Sequence, residues 1–362
     1  MLKMASDMKK LKIGDLTAEL PIIQGGMGVG ISLSGLAVSV ANEGGIGTIS
    51  AVMPGFRETD LYHHYREANI RALQKEIRYA RSKTTGILAV NIMVAITNYA
   101  DMVKTAVSEG IDIIISGAGL PLKLPEYLNG STRTKLVPIV STARAAELII
   151  KKWKTSYNYV PDALVLESAM SGGHQGIKAA DINLEIYSLD NQLPEVLRVT
   201  AKYEQLFEKN IPVIVAGGVY TGADIRRYME MGAAGAQLGT RFVTTHECDA
   251  STEFKMQYIA CNDKERIVTI QSPVGLPLRV IHNDFIDKVI AGERKVKHCP
   301  YKCLHTCNYQ EASFCIALAL MNAQKGNISE GILCCGTNGY RNDTIVSVKE
   351  LLATIRDEYN SL

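Results

Sequence analysis

His174 follows Ser171-Gly172-Gly173 and is the side chain of this sequence best placed to move a proton. An imidazole titrates near pH 6.5, so it can accept or donate at neutral pH. Glu167 stands shortly before it, but a metal centre needs several His or carboxylate ligands converging, and this pair is too few. What accompanies them is glycine: Gly25-Gly26 in PIIQGGMGVGIS, Gly217-Gly218 in AGGV, and Gly239 in QLGT. The first of these invites a phosphate-loop reading and fails it. The NTPase loop G-x-x-x-x-G-K-[ST] requires Lys where Ile31 follows Gly30, and the dinucleotide fingerprint G-x-G-x-x-G requires Gly where Leu33 stands. AGGV and QLGT suit a phosphate better, because glycine lets backbone N–H groups approach closely and Thr240 adds a hydroxyl. Arg241 adds a cation there only by turning inward.

Short apolar or β-branched runs carry these residues at their ends. Eight can be picked out, at 22–24, 46–50, 87–91, 113–115, 136–140, 163–167, 212–216 and 235–238. Helical patterning separates them: Leu61, Tyr65, Ala68 and Ala72 predict a helix over 61–83, and the segments 99–110 and 222–232 each end in glycine. Eight strand–helix units with strands apolar throughout predict an α/β fold, a TIM (β/α)8 barrel. Its active site lies where strands end, which gathers Gly25, Gly26, Met27, Asn91, Glu167, His174, Gly217, Gly218 and the run Gln237, Leu238, Gly239, Thr240 around one mouth.

The chain changes character after the eighth run. Three units are expected: a barrel at 1–247, a partly helical lid insertion at 248–327, and a return segment at 328–362. The last contains a strand-like stretch at 332–335 and a closing helix with Val348, Leu351, Leu352 and Ile355 on one face. In the insertion, the Pro-bounded SPVGLP at 272–277 suits a lid edge, and the basic run from Arg294 to Lys302 reads as a solvated loop, or as a dock for an acidic carrier protein. Cys299, Cys303, Cys307 and Cys315 are spaced C-x3-C-x3-C-x7-C, without the C-x2-C usual for zinc or ferredoxin sites. They read as small thiols packing the lid, with no metal assigned. A net charge of +2 gives no drive toward nucleic acid or membrane, and neither an apolar leader nor a membrane-length run is present, so a cytoplasmic enzyme is expected.

The motifs PIIQGGM, LAVNIM, ISGAG, VLESAMSGGHQG, IPVIVAGGV and AAGAQLGTRF, in this order over about residues 13–245, resemble the nitronate monooxygenase (formerly nitropropane dioxygenase) family and the related flavin-dependent enoyl-acyl-carrier-protein reductases. The resemblance implies non-covalent FMN. Gly25–Met27 would lie along the isoalloxazine, Asn91 and Glu167 at its edge, and Gly172 and Gly173 close by. Gly217, Gly218 and Gln237 through Thr240 would hold the phosphate, with His174 as the active-site histidine. Asn338, in a GxNxYR pattern, would approach the flavin. Met170 stands where relatives commonly have Glu, and Val29–Ser32 departs from the bulkier residues usual after GGM. The implied reaction is oxidation of a nitronate or nitroalkane by O2. The alternative is NAD(P)H-dependent reduction of an enoyl thioester, and a remote one is a non-catalytic phosphate-binding barrel. The expected partners are a small-molecule substrate and, as an option, NAD(P)H or a second copy in a homodimer.

Overall fold

The computed structural model describes residues 8–361. Eight parallel strands form one sheet: β1 Ile22–Gln24, β2 Gly47–Ser50, β3 Leu88–Met93, β4 Ile113–Gly117, β5 Lys135–Val140, β6 Leu164–Glu167, β7 Val213–Ala216 and β8 Gly235–Leu238. Neighbours in sequence are neighbours in the sheet, and β8 pairs with β1. The ring closes between β1 and β2 through a parallel bridge from Ile23 to Ile46. The TIM barrel expected from the eight apolar runs is therefore borne out, each run lying within one or two residues of its strand.

The strands are apolar on both faces because both faces are buried. Ile113 and Ile115 point into the barrel with Ile23, Val137, Val165 and Ile214, while Ile114, Val213 and Val215 pack outward under the helices. This period-two split is what a strand imposes on a continuous apolar run. The inner cluster also contains Leu11, Ile13 and Ala18. They belong to an antiparallel hairpin, Leu11–Ile13 with Leu16–Ala18, that stoppers the end where the strands begin and ties Asp15 to Lys135 at 2.8 Å. The sequence reading placed no element there.

Outer helices follow most strands, with two departures from the expected pattern. The helix after β2 runs Tyr65–Lys83, not from 61; Leu61 sits in a turn, buried with Met53 and Phe56. After β4 only a 3-10 turn, Leu124–Leu128, occupies the helix layer. The eighth outer helix is Val348–Asn360, packed between the helices Gly222–Glu230 and Ser34–Asn42. Its buried face is Val348, Leu351, Leu352, Ile355 and Tyr359.

The intervening chain is thus an excursion between β8 and the last barrel helix. Its two ends meet where Thr245 bridges Val346. It carries the helix Thr252–Ala260, an antiparallel pair Ile267–Gln271 and Pro277–Ile281, and the helices Asp284–Ile290 and Ile316–Gln324. The stretch 332–335 is not a strand of its own. Cys334 makes a single antiparallel bridge to Val280, because Pro277–Ile281 has Ile267–Gln271 along one edge and Gly173–His174 on the first part of the other, at Leu278 and Arg279.

Candidate active site

The barrel strands aim their C-terminal ends at a cavity of about 270 Å³ roofed by the excursion. Gly25, Gly26, Met27, Asn91, Glu167, Gly172, Gly173, His174, Gly217, Gly218, Gln237, Leu238, Gly239 and Thr240 all line it. Phe254, Tyr258, Leu304, Ile316, Leu320 and Ile332 contribute the opposite, apolar wall.

Glycine is required at Gly26 by space: a Cβ there would collide with the Cβ of Asn91. At Gly217 and Gly218 it is required by conformation, with φ of 82° and 81°. The return segment clamps this corner. Asn338 Nδ2 donates to Gly218 O at 2.7 Å, and Gly336 N–H donates to Thr240 Oγ1 at 3.0 Å. Asn338 therefore reaches the cavity wall. Arg241 is committed elsewhere, to Glu358 at 2.8 and 2.9 Å and to the carbonyl of Tyr220. Within the first loop, Ser32 is fully buried and accepts from Met27 N–H at 2.8 Å, so it braces the GGM turn, while Val29 and Ile31 reach the cavity. Met170 is largely exposed and lies over Gly218.

The loop carrying His174 is held by the excursion. Gly173–His174 pairs antiparallel with Pro277–Ile281, matching His174 to Leu278 and Gly173 to Arg279. Arg279 is itself buried and donates to the carbonyls of Ala169 and, at 2.9 Å, Ser171. His174 Nε2 lies 2.7 Å from Ser272 Oγ. Ser272 and Arg279 were missed as site residues by the sequence reading. An Arg inside the apolar run PLRVI is a usable signal of a buried polar task, whereas nothing in SPVGLP announces which loop it will meet.

Desolvation shapes both titratable groups. It pulls the His174 imidazole down to about 4, so the ring is neutral at pH 7, and it pushes the Glu167 carboxyl up to about 7. One further polar atom is conspicuous: Gln237 Oε1 is buried at the cavity wall without a hydrogen-bond partner among the described residues. An orphaned acceptor, glycine walls and a left-handed glycine pair fit a flat ligand with hydrogen-bond donors on its edge and a phosphate on its tail.

Fold and mouth define an enzyme of the (β/α)8-barrel class with its chemistry at the strands' C-terminal ends. The family model for nitronate monooxygenase matches residues 9–358. The chain belongs to the nitronate monooxygenase family and is an oxidoreductase. A probable nitronate monooxygenase of Staphylococcus aureus (strain Newman) is 25% identical over 333 residues, 82% of this chain and 85% of its own. FabK from Thermotoga maritima superposes with a TM-score of 0.72 at 26% identity, over 94% of this chain and 93% of its own. A nitroalkane oxidase from Streptomyces ansochromogenes shares the fold, with a TM-score of 0.70 at 21% identity over 94% and 96%. Among the described residues no helix is long and apolar enough to cross a membrane.

Proposed function

We propose that the chain is an FMN-dependent oxidoreductase that oxidises alkyl nitronates or nitroalkanes with O2 to a carbonyl compound and nitrite. The observation that carries this reading is a neutral, hydroxyl-anchored His174 in the same cavity as three glycine pairs and Gln237 Oε1, which has no partner among the described residues. Gly25, Gly26 and Met27 would back the ring, Asn91 and Glu167 its edge with Gly172 and Gly173 beside them, and Gly217, Gly218 and Gln237–Thr240 the phosphate and the chain leading to it, where Gln237 Oε1 would accept from a ligand hydroxyl. When bound, FMN supplies the two-electron exchange between substrate and O2.

The protein's own groups orient the substrate. With its pKa near 4, His174 is a weak base and chiefly a hydrogen-bonding partner for the nitro or nitronate oxygens. An anionic nitronate beside it stabilises the imidazolium and raises that pKa, so the ring becomes a better proton acceptor as negative charge develops. Ser272 holds the ring while this happens. The apolar wall keeps water away from the cavity and accepts the alkyl group.

That same wall favours a second reading, the NAD(P)H-dependent reduction of an enoyl thioester, since Leu304, Ile316, Leu320 and Ile332 suit an acyl chain. Anaerobic mixing separates the two. Bleaching of bound flavin by a nitronate, with none by NADPH, supports the oxidase reading. Bleaching by NADPH with turnover of crotonyl thioester, and none by nitronate, overturns it. A colourless protein that does not take up FMN overturns both.

A further inference from the structure

Arg279 is buried, and among the described residues no carboxylate stands in ion-pair contact with it. A guanidinium keeps its charge inside a protein, and a buried charge without a counter-charge is costly. Burial pulls its pKa down and only Cys335 acts the other way, a thiol that burial itself keeps protonated. Glu167, the buried carboxyl of the same mouth, is raised by burial with no cation acting on it, so the two do not compensate each other. The Arg279 side chain donates through Nη1 to the carbonyls of Ala169 and Ser171, while Nε and Nη2 donate to no acceptor among the described residues. Carbonyls solvate the charge but do not cancel it.

The loop that Arg279 holds lies on the corner formed by Gly217, Gly218 and Thr240. A Cβ on Gly217 would stand 2.8 Å from Ser168 Oγ and 3.0 Å from Ser171 N, and one on Gly218 would strike Met170. Gly336, whose N–H donates to Thr240 Oγ1, packs on Met170 O and Gly172 N. The C=O and N–H of a trans peptide point in opposite directions, so a Ser171 carbonyl turned to Arg279 turns the Gly172 N–H away from it. That N–H donates to no acceptor among the described residues, and Gly172 lines the cavity. Arg241, the cation next to Thr240, is committed to Glu358 and leaves the corner without a charge of its own.

We propose that Arg279 is the counter-charge of this corner: a positioning residue that, from behind the loop 168–172, attracts the phosphate of the bound ligand and polarises the Ser171–Gly172 peptide toward it. The inference rests on the FMN reading, because it takes the anionic tail of that ligand as the charge Arg279 lacks. It explains why a buried cation is tolerated where the protein supplies only carbonyls. It also gives the excursion a second task besides roofing the cavity. The strand Pro277–Ile281 carries Arg279 and pairs with Gly173–His174, so one element outside the barrel serves both the phosphate corner and the histidine loop.

The test is equilibrium binding of FMN, and of riboflavin, which lacks the phosphate, to the full chain stripped of flavin, read by quenching of flavin fluorescence. The parent is expected to bind FMN much more tightly than riboflavin. Arg279→Gln is expected to weaken FMN about tenfold or more while riboflavin changes less than about threefold, the loss that one partly screened charge gives. Arg279→Lys, which keeps the charge, is expected to retain most of the preference. Equal weakening of both flavins in Arg279→Gln overturns the proposal, as does a Lys variant as weak as the Gln variant, which would assign the effect to the hydrogen bonds that hold the loop. A parent without preference for FMN overturns it too, and that measurement needs no variant to fold. Each of these results leaves the flavin reading standing; a parent that takes up neither flavin overturns the reading and the proposal together.

Discussion

Ser272 and His174 stand 2.7 Å apart, Oγ to Nε2, although 98 residues separate them in sequence. One belongs to the turn between the two strands of the excursion and the other to the loop after β6. The contact anchors the ring nitrogen that faces Ser272 and leaves the orientation of the imidazole in the hands of a segment outside the barrel. An excursion that only covered the cavity would not do this.

Replacing Ser272 by Ala is therefore expected to keep the flavin and the fold while lowering turnover roughly tenfold, the equivalent of about 1.4 kcal/mol in the barrier. Steady-state kinetics with a nitronate check this. The loss should fall on kcat more than on KM, because the substrate's other contacts remain. An unchanged kcat would show that the hydroxyl does not position the ring.

His174→Asn is expected to retain flavin binding but reduce turnover of a neutral nitroalkane by about 100-fold or more. Turnover of the pre-formed nitronate should suffer less, since no proton has to be removed from it. Comparing the two substrates separates proton acceptance from hydrogen bonding; equal losses would assign the imidazole to hydrogen bonding alone.

The two shifted groups make opposite pH signatures in the stability of the ligand-free chain. Glu167 titrates near 7 when folded and near 4.5 when unfolded, so the folded state holds the extra proton and stability falls as pH climbs through that window. His174 titrates near 4 when folded and 6.5 when unfolded, so its contribution rises with pH from about 4 to 6.5. The two largely offset each other where the windows overlap. Glu167→Gln should expose the rise and His174→Asn the fall, read as denaturant midpoints against pH. Profiles that superimpose on the parent's would refute both shifts.

Asp249 caps the first barrel helix from across the sequence, accepting from Leu33 N–H at 2.7 Å and from Gly35 and Leu36 N–H at 3.2 Å each. Asp249→Ala leaves these donors unpaired and is expected to cost about 1–3 kcal/mol in unfolding free energy. Asp249→Asn, which keeps one acceptor oxygen, should cost less. Thermal or denaturant unfolding distinguishes them.

Much of the site was legible because barrel topology converts strand ends into a place. Once the apolar runs were identified, Gly25, Asn91, Glu167 and Gly217 had to meet at one mouth, whatever the loops between them did. The same logic failed for Ile332–Cys335. Local patterning reports that a segment can be extended but not which edge is free to pair with it, and the free edge belonged to the excursion.

Local chemistry in the sequence thus determined the eight strands, the glycines that permit close backbone approach, and the histidine in their midst. These depend on periodicity and on residue type at a strand end, both readable within a few residues. The tertiary structure decided which distant partners complete them: the hairpin that stoppers the barrel, Asp249 on the first helix, and Arg279 and Ser272 on the histidine loop. Each is a contact between segments joined only by the closing of the whole chain, and no local pattern encodes which surface a loop will find when it folds back.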